Sequence, residues 1–237
     1  MASISENTFG AKLRNAQDLL NIIKGFKDYT PPRDQESVTG LTTLINSIIS
    51  SNTRLSSVLQ QYKSATASRQ VAYRGSSTSI DKILAPIKGA VDAQYGKKST
   101  ESLSISSAIK SMRATKLLKA PQDPTKETQD KGISQSERSY GSLIQSFSNL
   151  ISMLGQFRGY NPSNNNLKIS GLESTVLQVN TLNNLVIQKF QELKTSQTTR
   201  NSLYFDLNER VQRVKSYVKA QYGMTSNEYK MIKGLKI

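Results

Sequence analysis

The chain repeats itself, and that repetition constrains its fold more than any other feature. "SENTFG" at 5–10 falls on "SERSYG" at 136–141, 131 positions on. The correspondence continues without a gap. Leu13 meets Ile144, Leu20 meets Ile151, Ile23 meets Leu154, Phe26 meets Phe157, Tyr29 meets Tyr160 and Pro31 meets Pro162. Gly40-Leu41 meets Gly171-Leu172, Asn52 meets Asn183, Arg69 meets Arg200 and Tyr73 meets Tyr204. The spacing then drops to 127. Ile80, Leu84, Ile87 and Val91 meet Leu207, Val211, Val214 and Val218, and "AQYG" at 93–96 meets "AQYG" at 220–223. The first copy therefore holds four residues more, most simply in "RGSSTS" at 74–79, where Gly and Ser mark a loop that tolerates insertion.

Two copies of a unit of roughly 100 residues follow from this spacing. They occupy 1–115 and 136–237. Between them lies "KLLKAPQDPTKETQDKGISQ" at 116–135, whose two prolines, mixed charge and sparse apolar content read as a linker.

Each unit reads as helices. Leu13, Ala16, Leu20 and Ile23, with Leu19 and Phe26 beside them, have helical spacing, and Ile144, Phe147, Ile151, Leu154 and Phe157 repeat it. This helix stops before "YTPP" or "YNP", because proline cannot continue it and restricts its predecessor. A long helix follows, roughly 37–73 and 168–205. Its stripe is Leu41, Ile45, Ile48, Asn52, Leu55, Leu59, Tyr62, Thr66, Arg69 and Tyr73, a heptad-like seam. A third helix is expected over 79–95 and 206–222, with Pro86 imposing a kink or a late start on the first. "QYG" ends it, glycine being the residue that takes a left-handed backbone. A short last helix starts after it. Thr225 and Glu228 have capping-box spacing, whereas Lys98 in the other copy leaves Ser99 or Thr100 as the cap. The expected fold is all-α: an internally duplicated, elongated helical bundle with about three long helices and a short one per repeat. Two shorter helices fold back along each long one, and the copies cover each other about a pseudo-two-fold axis.

Composition excludes much chemistry. Histidine, cysteine and tryptophan are absent. The commonest general base, the thiolate nucleophile and the two commonest zinc ligand types are therefore missing. There is no phosphate loop, no G-x-S-x-G and no carboxylate cluster at helix spacing. These features predict no catalytic residues, no metal, no cofactor and no enzyme. No stretch approaches the ~20 apolar residues of a spanning helix. The N-terminus lacks an apolar secretory core. A soluble, cytoplasmic protein is expected.

Two residue sets merit a site reading. Asn52, Arg69 and Tyr73, with Asn183, Arg200 and Tyr204, are polar residues on an apolar seam, kept in both copies. They form either a polar pocket or partner site, or a structural device. In the second case Asn fixes register while Arg and Tyr bury their stems, and this is the reading the pattern favours. Arg210, Arg213, Lys215 and Lys219 cluster on the third helix of the second copy, where the first has Ile83, Pro86, Lys88 and Asp92. They are candidate phosphate contacts or, more simply, a solvated helix face.

The C-terminal segment "TTRNSLYFDLNERVQRVKSYVKAQYGMTSNEYKMIKGLKI" resembles the ending of an uncharacterised family of bacterial all-helical proteins. The motif is R-N-x-x-L-Y, here Arg200, Asn201, Leu203 and Tyr204, followed by Lys215, Tyr217, Val218, Lys219, Gly223, Ser226, Glu228, Tyr229 and Lys230. The first copy departs from it with Gln70 for Asn201 and Ser102 for Tyr229. The resemblance implies no activity.

With charge +15 spread over both copies, the expected role is a non-enzymatic helical scaffold or protein-interaction module. Its expected partner is another protein or a second copy of the chain. Non-specific nucleic-acid binding through phosphates is the alternative, and an anionic membrane surface comes third.

Overall fold

A computed structural model describes residues 8–114 and 136–237, so the expected linker lies outside the described residues. The described residues form no strand. The helices are α1 (Phe9–Lys24), α2 (Val38–Gln70), α3 (Ile80–Tyr95), α4 (Thr100–Ala114), α5 (Ser136–Gln156), α6 (Ile169–Tyr222) and α7 (Asn227–Lys233). Short 3-10 turns, Asp34–Glu36 and Asn165–Leu167, precede α2 and α6.

Local chemistry sets the ends. The Thr8 hydroxyl accepts the Ala11 N–H at 3.2 Å and opens α1. The 3-10 turns press so close to the next helix that a Cβ on Gly40 would lie 2.2 Å from the Asp34 carbonyl oxygen, and one on Gly171 2.3 Å from that of Asn165. Only glycine fits at either position. The turns are held from outside as well. The Tyr29 hydroxyl donates to the Glu36 carbonyl at 2.8 Å and the Tyr160 hydroxyl to the Leu167 carbonyl at 3.0 Å. Gly96 and Gly223 end α3 and α6 at φ 92° and 98°.

Three expectations need correction. The helix expected over 206–222 is not separate, because α6 runs unbroken from Ile169 to Tyr222. Nothing in "RNSLYFDLNERV" stops a helix. The first copy instead breaks at its four extra residues, in a π-helical turn over Val71–Gly75, and α3 begins afresh at Ile80. Second, Ser226 caps α7, accepting the Tyr229 N–H at 3.1 Å, so the cap lies one residue beyond Thr225. Its matched residue Ser99 accepts the Ser102 N–H in the same way, also at 3.1 Å. Third, Leu59 is 39% exposed while Val58 and Ala65 are buried, so the seam passes Leu55, Val58, Tyr62 and Ala65. A step of three followed by four keeps one face inward more closely than the 55–59 step. As for Pro86, α3 passes through it from Ile80, which removes the late start.

The residues fall into two compact units. One holds 1–61 and 190–237, the other 62–189. These boundaries cut across the copies expected at 1–115 and 136–237. The first unit has a core of Leu19, Ile23, Leu41 and Ile48 with Leu207, Val211, Val214 and Val218. The second has Phe147, Leu150, Leu154 and Leu172 with Ile80, Leu84, Ile87 and Val91, and α4 adds Ile105 and Ile109. Each core thus joins the opening helices of one expected copy to the closing helices of the other.

Candidate functional site

The polar seam residues assemble into two clusters, one per unit. In the second unit Arg69 is buried to 2% exposure. Its Nη1 donates to Asn183 Oδ1 at 3.1 Å, and its guanidinium carbon lies 4.4 Å from the centre of the Tyr140 ring. The Tyr73 hydroxyl donates to the Tyr140 carbonyl at 3.2 Å, and the two rings stack at a tilt, 4.3 Å apart. In the first unit the Tyr204 hydroxyl donates to the Phe9 carbonyl at 2.9 Å and accepts from Asn52 Nδ2 at 3.0 Å. The Arg200 guanidinium lies 4.1 Å from the Phe9 ring, which meets the Tyr204 ring at 4.6 Å.

Asn52 therefore meets Tyr204, and Asn183 meets Arg69. Asn52 and Arg69, which share α2, belong to different units. Phe9 and Tyr140 complete the clusters and were not singled out from the sequence. The signal was present, since the two aromatics coincide in "SENTFG" and "SERSYG".

The chemistry of these clusters is that of clamps. Each aromatic ring sits beneath a guanidinium, an attraction of about 1–2 kcal/mol when desolvated. Each tyrosine hydroxyl satisfies a main-chain carbonyl near a helix start. Burial pushes the Tyr73 phenol well above its usual range, with Arg69 pulling the other way. A phenol held neutral in this way is a hydrogen-bond donor and a poor base. The Nε atoms of Arg69 and Arg200 are buried without a hydrogen-bond partner.

The AQYG tyrosines have the same kind of role. The Tyr95 hydroxyl donates to the Arg158 carbonyl at 3.1 Å, and that of Tyr222 to the Lys27 carbonyl at 2.7 Å. Each ties the end of a closing helix to the end of an opening one.

The basic cluster on α6 does not present four open cations. Arg210 holds Asp206 through Nε and Nη2 at 3.0 and 2.7 Å, and its Nη1 donates to the Gln35 carbonyl at 3.1 Å. Arg213 approaches Glu36 at 3.4 Å and Glu209 at 3.6 Å. Lys215 donates to the Lys233 and Leu235 carbonyls, and burial pulls its ammonium below the usual lysine range. Lys219 is exposed. Among the described residues no group of three or more acidic side chains could hold a metal ion, and no helix is long and apolar enough to cross a membrane.

No protein-family model, curated protein or solved structure matches this chain.

Proposed function

We propose that this protein is a non-enzymatic, internally duplicated helical scaffold that works by binding another protein or a second copy of itself. The pseudo-two-fold relation inferred from the sequence match belongs to the same proposal. One observation carries it. The polar residues kept in both copies are engaged in contacts within their own units: Arg69, Tyr73 and Asn183 in one, Asn52, Arg200 and Tyr204 in the other. Positions retained in duplicate thus serve the framework, and function falls to the faces that the framework displays. Those faces carry large apolar side chains, among them Leu177 and Phe205 at 69% exposure and Leu103 at 60%. Light scattering during gel filtration tests the self-association branch, for which a mass above that of one chain is expected. A monomer that also retains no specific protein from its native lysate would overturn the reading.

Nucleic-acid binding is favoured by a different observation, the charge of +15 with Lys24, Lys27, Lys219, Lys230 and Lys233 all exposed in the first unit. It predicts binding to duplex or single strands that weakens steeply with salt. No shift of either at low salt removes it.

A further inference from the structure

The first unit contains a cleft of about 380 Å³ that the clusters above do not use. Pro31, Pro32 and Tyr217 form apolar walls, and Arg33, Arg213 and Glu36 line it. Four of the lining positions differ at their matched places. Glu36 corresponds to Leu167, Arg33 to Asn164, Arg213 to Pro86 and Tyr217 to Ala90. Leu167 fills its position at 7% exposure, so the fold does not require a carboxylate there. Glu36 is nonetheless buried to 3%.

A carboxylate in that setting needs close partners, and those of Glu36 stand off. Arg213 Nη1 lies at 3.4 Å and Arg33 Nε at 3.5 Å, against roughly 2.7–2.9 Å for a charge-assisted hydrogen bond. The arginine side chains remain 44% and 49% exposed. Arg33 Nη2 donates to Gln35 Oε1. Arg33 Nη1 and Arg213 Nε make no hydrogen bond among the described residues. Glu209, on the same wall, reaches only Arg213 among the described residues, at 3.6 Å. The Tyr217 hydroxyl is held by Thr30, donating to its carbonyl at 2.7 Å, so the ring offers the cleft apolar surface. Arg33 Nη1 and Arg213 Nε are thus open donors on the cleft wall, and Gln212, Ser216 and the half-exposed Glu209 carboxylate line it beside them.

We propose that this cleft binds a small organic anion: a carboxylate, sulfonate or phosphate monoester on a flat apolar body. The anionic group bridges Arg33 and Arg213, and the body lies against Pro31, Pro32 and Tyr217. Glu36 approaches both guanidinium groups and competes with the ligand for them. The site is independent of any protein partner.

Opposite effects from neighbouring substitutions test this. The full chain is titrated with anilinonaphthalene sulfonate, a fluorescent aromatic anion, and in parallel with the uncharged phenylnaphthylamine. Saturable binding of the sulfonate is expected. Arg33→Gln and Arg213→Gln should each weaken it by about tenfold or more, the usual loss for one hydrogen bond to a charged group. Glu36→Leu, which installs the residue of the matched position, should tighten it several-fold. The uncharged probe should respond to none of the three. Helical circular dichroism and melting show which variants keep the fold, and surface-exposed Arg33 provides a variant with little to lose. Sulfonate binding that is unchanged in folded Arg33→Gln, or weakened in folded Glu36→Leu, overturns the proposal.

Discussion

At the scale of single residues, the recurring device is a tyrosine hydroxyl that donates to a main-chain carbonyl. Tyr29, Tyr73, Tyr95, Tyr160, Tyr204 and Tyr222 all do this. Tyr204 has the most to lose, since it serves both Phe9 and Asn52. Tyr204→Phe removes both hydrogen bonds and takes the acceptor from the Asn52 amide, and should destabilise by about 1–3 kcal/mol in urea unfolding. Combined with Asn52→Ala, the two losses should overlap by on the order of 0.5 kcal/mol or more. Strict additivity would deny the contact. Tyr29, Tyr73, Tyr95, Tyr160 and Tyr222 set the alkaline limit. Burial raises the phenols of Tyr29, Tyr73, Tyr95 and Tyr222, and pushes Tyr160 from about 10 up to about 12. Above pH 10 the unfolded chain releases phenolic protons that the folded chain keeps. Stability is therefore whole below that pH and falls as pH rises toward 12. Lys215 acts in the opposite direction, because its lowered ammonium makes deprotonation relieve a cost, but it is one group against five. Tyrosinate absorbance and loss of helical circular dichroism should rise together in an alkaline titration. Tyrosinate appearing well before the helix is lost would show that these hydroxyls hold nothing.

At the scale of elements, the two halves of the chain solve one problem differently. The residues after Tyr204 continue α6, while those after Tyr73 pass through the π-helical turn Val71–Gly75 before α3 resumes. The interrupted version also carries Pro86, inside α3 and on its exposed side. Proline there removes one helical hydrogen bond to the carbonyl four residues back and crowds it. The buried face of Ile80, Ile83, Leu84, Ile87 and Val91 holds the helix in place regardless. Pro86→Ala should thus stabilise the protein, by about 1–3 kcal/mol, with a matching rise in the urea midpoint. A loss of stability would mean that the proline shapes α3 to fit its neighbours.

At the scale of the whole molecule, the first compact unit joins the two ends of the chain, 1–61 and 190–237, and the second is its middle, 62–189. The first core needs Leu19 and Leu41 from early in the chain and Leu207 and Val214 from late in it. The second joins Leu84 and Ile87 of α3 to Phe147 and Leu154 of α5. Neither 1–115 nor 136–237 contains a complete core. Expressed alone, each fragment should lack a cooperative melting transition. Mixed or produced together, they should associate and regain one. Independent cooperative folding of either fragment would show that the copies are self-sufficient domains.

What was legible in the sequence is local. Apolar spacing placed the opening helices, proline and glycine marked their ends, and the doubling of Asn52, Arg69 and Tyr73 singled out the residues that become clamps. These follow from side-chain period and backbone restriction, which act over a few residues. Partnership was not legible. Asn52 finds Tyr204, 152 positions away, because a helix face carries apolarity without an address. The two copies expected from the sequence would offer matched faces, so the pattern is equally satisfied by pairing within a copy or between copies. Only the tertiary structure decided that α1 and the start of α2 close on the end of α6, and α5 and the start of α6 on α3. It alone buried Glu36 beside Arg33 and Arg213, since burial depends on what the distant α6 lays over the 3-10 turn.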